Sequence, residues 1–445
     1  MRAGNKWLLP EGIEAVLPPR AAQLDALCRR ITDQFAAWGY ELVTPPLLEY
    51  LDTLFPGSDD ELELQTFKVI DQLSGKLMGI RADTTPQVAR IEVHNLKRSG
   101  PSRLCYIGPV LRTLPGGPGG ARALLQVGAE LYGYKGIESD AEILALLLKT
   151  LQLAGLREIH VDVGHVGILR GLTKPMQLDP DRETRLFSCV QRKATDELRA
   201  MLNEWDLNNE CAAALLSLME IEGDAGILED VKAILKPCGE TLCGYVDELE
   251  QIAQLTARQV SKPPLYFDVT EFQGYHYHTG MTFAAYVPGQ SEGIAFGGRY
   301  DGVCAAFGRA RVATGFSTDA LKLFELAPPA PAPQKAIAAP VADAPGLHEL
   351  VESLRAQGET VIYRLPGDEG AAACDRELVL EAGRWQVRYS SAILKSSSSA
   401  PSGAMKARAR SSICWPKKYK AWCASRAATM PAIRWSSTAS RQFCT

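Results

Sequence analysis

The sequence predicts an α+β fold, because helix-like and strand-like segments occur in separate runs along the chain. Residues 20–38 carry apolar side chains at three- and four-residue steps, the period of an amphipathic helix. Residues 104–111 and 123–132 have the pattern of two long strands that flank a loop of Gly and Pro. Residues 176–260 are rich in Leu, Ala and Glu at helical spacing, which predicts a helical insertion.

The elements before the insertion follow from the same two periods. Gly39 suits the position after the C-terminus of the first helix, and Pro45 and Pro46 end the strand that comes next, at 40–44. The other expected elements are a polar hairpin-like stretch at 57–62, strands at 66–70 and 77–80, helices at 85–97 and 141–153, and a strand at 158–163.

Strands and a helix resume after the insertion. The expected elements are strands at 265–269, 276–286 and 293–297, and a helix at 318–326. Residues 1–326 are therefore predicted as one main domain that contains the insertion. A linker rich in Pro and Ala follows at 327–345, and its composition is typical of a stiff, extended segment.

The remainder of the chain has two parts. A small α/β unit is predicted at 346–389, with a helix at 347–357 and strands at 360–363 and 378–387. Residues 390–445 show neither period, and their ten Lys or Arg accompany no Asp or Glu, which fits a solvated tail or a nucleic-acid-binding arm. An overlapping reading frame of this segment spells strings that resemble the start of adenylosuccinate synthetase. We therefore interpret 390–445 as an out-of-frame, disordered tail.

Composition and charge are those of a large globular protein. The chain has 48 Lys or Arg against 52 Asp or Glu, and 46% of its residues are hydrophobic. Without the ten basic residues of the tail, 38 basic residues oppose the same 52 acidic ones, so residues 1–390 carry −14, which disfavours a nucleic-acid partner. The absence of a long apolar run predicts a cytoplasmic protein without membrane contact, whose scattered cysteines are reduced.

Four polar residues suggest a binding site. Gln126 and Glu130 lie four residues apart on a predicted strand, so both side chains point to one face. A glutamate aimed into a cavity accepts from an ammonium or an imidazole N–H, and Asp83 and Thr85 suit an amino group. The alternative interpretation is that all four are solvent-facing strand residues.

His276 and His278 alternate along another predicted strand and would point the same way. A lone pair of histidines lacks the third ligand that a stable metal site needs. We therefore expect no metal and no cofactor, and interpret His278 as a residue that lines the pocket.

Several segments resemble the catalytic core of the histidyl-tRNA synthetases, in the same order along residues 8–326. These segments are Gly79–Thr85, Tyr106–Arg112, Gln126–Glu130, Gly297–Gly302 and Ala313–Phe316. The resemblance implies the class II synthetase fold, an antiparallel sheet flanked by helices. It also implies a dimer formed through the segment that includes Pro46 and Glu49.

The sequence departs from the synthetases at the positions that would bind ATP. Leu114 stands where the synthetases have a glutamate, Gln273 where they have a catalytic arginine, and Lys322 where an arginine binds the γ-phosphate. The planar, charged fork of arginine binds phosphate through two hydrogen bonds, which neutral glutamine cannot reproduce. The anticodon-binding domain that the synthetases carry is also missing from the sequence pattern.

The amino-acid side of the pocket is retained. By resemblance, the histidine-binding residues are Asp83, Thr85, Arg112, Gln126, Glu130, Tyr277 and His278. A chain that keeps this pocket and loses ATP activation resembles the regulatory subunits of ATP phosphoribosyltransferase. The resemblance implies no catalysis by the chain itself, no catalytic residue, and assembly with a short catalytic subunit into a hetero-oligomer, expected as a hetero-octamer. That complex performs the first step of histidine biosynthesis and is inhibited by L-histidine. The alternatives are an active amino-acid-activating enzyme and a binding module for another protein.

Overall fold

The computed structural model describes eight stretches of the chain, namely residues 8–55, 60–116, 120–207, 209–270, 277–290, 292–328, 336–366 and 374–389. These residues form two compact units, one that ends at Pro328 and one that follows it. No helix in these stretches is both long enough and apolar enough to cross a membrane. The predicted tail, 390–445, lies outside the described residues.

The strands of the first unit form two sheets. They are β1 (Glu41–Leu42), β2 (Leu48–Tyr50), β3 (Phe67–Ile70), β4 (Leu77–Ile80), β5 (Ser102–Leu111), β6 (Ala123–Tyr132), β7 (His160–His165), β8 (Leu265–Phe267), β9 (Met281–Tyr286), β10 (Ala295–Arg299) and β11 (Ala313–Asp319). The larger sheet has the order β1-β5-β6-β11-β10-β9-β7-β8, and the smaller one β2-β4-β3. Neighbouring strands are antiparallel except in the pairs β1/β5 and β7/β8. The predicted antiparallel class II sheet is confirmed.

The first unit contains the long helices that were expected and several short ones. They are α1 (Arg20–Ala37), α2 (Leu51–Leu54), α3 (Asp60–Leu64), α4 (Thr85–Arg90), α5 (Glu138–Leu153), α6 (Val166–Thr173), α7 (Pro180–Gln191), α8 (Thr195–Glu204), α9 (Glu210–Leu218), α10 (Leu228–Leu235), α11 (Glu240–Gln259), α12 (Val303–Ala306) and α13 (Ala320–Leu326). A π-helix, Ile91–Leu96, continues α4, and short 3-10 turns lie at Lys174–Met176, Ala225–Ile227 and Lys236–Cys238. Helices α7 to α11 occupy the segment predicted as helical.

One face of the large sheet is covered by the main hydrophobic core. Helix α5 is buried along most of its length, and Ile143, Leu144 and Leu147 are fully buried. Burial of such a side chain stabilises the fold by about 1.5–3 kcal/mol. On β6, Val127 and Ala129 belong to this core. Because side chains alternate along a strand, Gln126, Gly128 and Glu130 point to the opposite face.

Two predicted elements differ from the structure in the N-terminal half. Of the hairpin-like stretch expected at 57–62, residues 57–59 lie outside the described residues, and the rest belongs to the short helix α3, Asp60–Leu64. The helix predicted at 85–97 changes from α to π after Arg90 and ends where Lys97 adopts a left-handed conformation. Apolar spacing does not distinguish these two kinds of helical turn.

Two further differences lie near the predicted site. The strand expected at 276–286 begins only at Met281, so Tyr277 and His278 lie in the turn before β9. The prediction that His278 alternates with His276 along a strand was therefore wrong for His278. His276 itself lies outside the described residues. The helix expected at 318–326 begins at Ala320, because Thr318 and Asp319 belong to β11 and the Asp319 carboxylate accepts from the Leu321 N–H.

The second unit is a four-stranded sheet with one helix. Its elements are β12 (Ile337–Pro340), α14 (Leu347–Ala356), β13 (Val361–Arg364), β14 (Arg376–Glu381) and β15 (Arg384–Tyr389), and the strand order is β13-β12-β14-β15. The linker predicted at 327–345 is therefore interrupted by a strand. Ile337 and Ala339 are buried in the core of this unit, and Pro340 lies past the two residues of β12 that pair with β14, where a missing N–H is tolerated. Because the segment is rich in Pro and Ala, its short alternating pattern was not recognised as a strand.

Candidate functional site

The candidate site lies on the face of the large sheet opposite the main core. In the strand register, Glu130 of β6 lies between Leu104 of β5 and Gly315 of β11. Gln126 and Glu130 are both buried, at 4% and 1% exposure. The prediction that they share a face is in accord with this register, and the alternative of solvent-facing residues is excluded by their burial.

Glu130 is enclosed by hydroxyl donors from three other parts of the chain. Its Oε1 accepts from Thr85 Oγ1 at 3.0 Å and from the Tyr106 hydroxyl at 3.1 Å, and its Oε2 accepts from the Tyr300 hydroxyl. Burial raises the pKa of Tyr106 and Tyr300 well above the ordinary value, so both remain protonated donors. The sequence indicated Thr85 and missed both tyrosines.

Two strand glycines leave the space that this carboxyl occupies. A Cβ atom at Gly315 would lie 1.6 Å from Oε2 of Glu130, and a Cβ atom at Gly128 would lie 2.3 Å from the Tyr106 hydroxyl oxygen. Contacts this short do not occur between real side chains. Glycine at 128 therefore allows the Tyr106 side chain to cross β6 and reach Glu130, and glycine at 315 leaves room for the carboxyl itself.

The protonation state of Glu130 follows from its surroundings. Burial raises the pKa of the Glu130 carboxyl to about 8, and the neighbouring Asp83 acts in the same direction. The hydroxyls of Tyr300, Thr85 and Tyr106 lower this pKa, but by less than burial raises it. At neutral pH the carboxyl is therefore largely protonated.

Asp83 and Gln126 fix the start of helix α4 against β6. The carboxylate of Asp83 accepts from the Thr85 N–H at 2.7 Å and from Nε2 of Gln126 at 2.9 Å. Gln126 Oε1 in turn accepts from the Thr84 N–H at 2.9 Å. This reciprocal pairing places the hydroxyl of Thr85 beside Glu130.

Tyr277 and His278 approach from the turn before β9. The Tyr277 hydroxyl is buried and has no hydrogen-bond partner among the described residues, and its ring centroid lies 5.0 Å from that of Tyr300. Nδ1 of His278 lies 3.3 Å from the carbonyl oxygen of Arg299. Burial lowers the pKa of His278 to about 4, so the ring is neutral, and we assign the proton to Nδ1 because a carbonyl only accepts.

Arg112 lies at the edge of this group. Its Nε donates to the carbonyl of Ala82 at 3.4 Å, next to Asp83. In the described part of the chain, Arg112 forms no ion pair with a carboxylate. Its guanidinium therefore keeps donors for an anionic group of a ligand.

The structure thus brings Asp83, Thr85, Gln126 and Glu130 into one hydrogen-bonded network. Tyr277 joins it through its ring contact with Tyr300, and His278 contacts the ring of Tyr277 in turn, whereas Arg112 reaches only the neighbouring backbone. Asp83 and Glu130 offer carboxyl oxygens and Arg112 offers donors, which together suit a molecule that carries both an ammonium and an anionic group. Within the described stretches, no group of three His, Cys, Asp or Glu side chains is arranged to hold a metal ion.

Of the three positions that differ from the synthetases, the two that the structure describes have no comparable arrangement. Leu114 is 64% exposed in the turn after β5, and Lys322 lies on α13 without an ion pair among the described residues. Gln273 lies outside the described residues.

Two family models match the chain. Residues 12–323 match the model of the histidyl-tRNA synthetase family, and residues 334–388 match the model of the ATP phosphoribosyltransferase subunit HisZ C-terminal domain. The order of the two matches agrees with the two compact units of the structure.

Several curated proteins are similar over most of the chain. The ATP phosphoribosyltransferase regulatory subunit of Thioalkalivibrio sulfidiphilus is 48% identical over 392 residues, which cover 87% of this chain and 99% of that protein. The protein of the same name from Pseudomonas aeruginosa is 47% identical over 393 residues, with the same two coverages.

Solved structures share the fold. A Bacillus halodurans protein described as an ATP phosphoribosyltransferase regulatory subunit/histidyl-tRNA synthetase superposes with a TM-score of 0.72 at 26% identity, covering 82% of this chain and 95% of that one. The histidyl-tRNA synthetase of Nostoc sp. PCC 7120 superposes with a TM-score of 0.70 at 15% identity, covering 86% of this chain and 94% of that one. The second likeness concerns the fold alone.

Proposed function

This chain belongs to the family of ATP phosphoribosyltransferase regulatory subunits, and we propose that it regulates that reaction without catalysis of its own. Its partner in this proposal is a short catalytic subunit, with which it forms the hetero-oligomer that performs the first step of L-histidine biosynthesis. The chain senses histidine and passes this information to the active site of the partner.

The observation that carries the proposal is the contrast between the two halves of the synthetase-like pocket. The acceptors suited to an amino acid are intact and mutually hydrogen-bonded around Glu130. The side chains suited to ATP are replaced by Leu114, Gln273 and Lys322. Loss of charged groups that stabilise a transition state typically costs about 10²-fold or more in rate for each group.

Histidine fits the acceptors in one orientation. Its α-ammonium group is placed beside Asp83 and Thr85, and an imidazole N–H is placed toward Glu130. Arg112 then supplies donors for the α-carboxylate. The buried Tyr277 hydroxyl, which lacks a partner among the described residues, supports a ligand group at that end of the site.

Self-association is part of the proposal, with a dimer formed through the segment that contains Pro46 and Glu49. The small sheet, to which Glu49 belongs, exposes large apolar side chains, among them Leu48 at 41% and Ile70 at 70%. Glu49 pairs with Arg90 of α4 at 2.6 Å, so the segment is joined to the helix that begins at Thr85. A hetero-octamer is the assembly that we expect with the catalytic subunit.

Reconstitution with a short catalytic subunit tests the proposal. The mixture should transfer phosphoribosyl groups from phosphoribosyl pyrophosphate to ATP, and histidine should inhibit it through this chain. The proposal would be contradicted if this chain changed neither the rate of the catalytic subunit nor its inhibition by histidine.

A further inference from the structure

Glu130 is a buried acid without a counter-ion in the described part of the chain. The charge that most affects its pKa is that of Asp83, before α4, which raises it. The groups whose own pKa the Glu130 charge raises are acids as well: Tyr40 after α1, Tyr106 of β5, Tyr132 of β6, Tyr277 before β9, Tyr300 after β10 and Cys304 of α12. Arg81 lies near Tyr106, but its guanidinium donates to the carbonyls of Pro45 and Pro109. No ion pair joins Glu130 to a basic side chain within the described stretches.

Below its raised pKa of about 8, such a carboxyl stays neutral unless a positive charge arrives. Removing a charged carboxylate from water is unfavourable unless a cation compensates it. The burial of Glu130 and the adjacent Asp83 both raise its pKa. An ammonium group beside Asp83 and Thr85 would supply the missing charge, because Thr85 Oγ1 is only 3.0 Å from Oε1 of Glu130.

We propose that the site is proton-linked: an amino acid whose ammonium group binds beside Thr85 ionises Glu130, and the carboxyl proton leaves to solvent. The O–H bond of the carboxyl breaks, no bond forms to the ligand, and Glu130 remains as the carboxylate that faces the imidazole N–H. This inference rests on the proposed histidine site and adds that its occupancy depends on pH.

Two consequences distinguish this site from one with a permanently charged carboxylate. Binding releases close to one proton at pH 7, where the imidazole of free histidine is already mainly neutral. As long as the pH is below the pKa of Glu130, each increase of one pH unit raises the affinity for histidine by up to about tenfold. Feedback by histidine is therefore stronger in a more alkaline solution.

Calorimetric titration with histidine, in buffers of different ionisation enthalpy between pH 7 and 8, measures the released proton directly. The full chain should release close to one proton at pH 7 and bind more tightly at pH 8. Glu130→Gln should bind weakly, release no proton and show no pH dependence in this range. Asp319→Asn is the matched control, because Asp319 is another acid whose pKa is raised by burial, and this variant should keep the proton release.

A measurement without ligand covers the case in which Glu130→Gln binds too weakly for calorimetry. The infrared difference spectrum between the wild-type chain and Glu130→Gln should contain the band of a protonated carboxyl at pH 7. Histidine should remove this band from the spectrum of the wild type and should have no such effect on Glu130→Gln. Binding of histidine without proton release, and without this band, would overturn the inference and leave the proposed function intact. Failure of the wild-type chain to bind histidine would overturn both.

Discussion

Single residues determine what this site can bind, and Glu130 is the most informative. Its carboxyl is held by Thr85, Tyr106 and Tyr300, so its position is fixed before a ligand arrives. Glu130→Gln keeps the side-chain volume and removes the charge. We expect the histidine affinity to fall by about tenfold or more, since a charge-assisted hydrogen bond contributes about 1.5–3 kcal/mol. Calorimetry on the folded variant checks this, and unchanged affinity would show that the pocket is assigned wrongly.

The pH dependence of stability gives a second prediction for Glu130. Its pKa in the folded chain is about 8, above the ordinary glutamate value of 4.5, so the folded state binds more protons than the unfolded state between these values. The contribution of the protonated carboxyl is fully present below pH 4.5 and is lost as the pH rises through about 8. The thermal midpoint of the wild type should therefore fall relative to Glu130→Gln between pH 5 and 8. Parallel curves would contradict this.

Gly315 gives a third prediction. Gly315→Ala places a Cβ atom 1.6 Å from Oε2 of Glu130, so the carboxyl must move or the strand must shift. Overpacking of this kind destabilises by about 1–3 kcal/mol, and we expect both histidine affinity and the thermal midpoint to fall. Gly244→Ala in α11 is the matched control, because a Cβ atom there meets open space, and it should be neutral or stabilising by up to about 1 kcal/mol. Equal behaviour of the two variants would contradict the steric account.

At the scale of elements, the sequence predicts those whose apolar period is long and uninterrupted. Helix α1 and strands β5 and β6 lie within two residues of their expected bounds. Strand β12 was missed because Ile337 is followed by two Ala and one Pro, a composition typical of linkers. The late start of β9 was missed because alternation continues through Tyr277 and His278, although both lie in a turn.

The candidate site was predicted only in part for a related reason. Gln126 and Glu130 share a strand, so their common face follows from the two-residue period. Tyr106 and Tyr300 come from distant segments and meet Glu130 only when β5, β6 and β10 are ordered in the sheet. The one signal available in the sequence was Gly128 in β6, since a glycine between polar strand residues indicates a close approach by another group.

For the whole molecule, we expect an absence of amino-acid activation. The purified chain should show no histidine-dependent exchange between ATP and pyrophosphate, because Leu114, Gln273 and Lys322 replace the groups expected to bind ATP. An active synthetase serves as the positive control. A turnover number in the usual enzyme range of about 1–10³ per second would instead favour the amino-acid-activating alternative.

The central claim is that this chain governs a reaction that it does not catalyse. The most direct test is the rate of phosphoribosyl transfer to ATP by a short catalytic subunit, measured with and without this chain and across a histidine titration. We expect no transfer by the chain alone, transfer by the mixture, and inhibition by histidine that weakens in Glu130→Gln as its histidine affinity weakens. Full histidine inhibition in a mixture with Glu130→Gln that no longer binds histidine would contradict it, because histidine would then act at a site on the catalytic subunit.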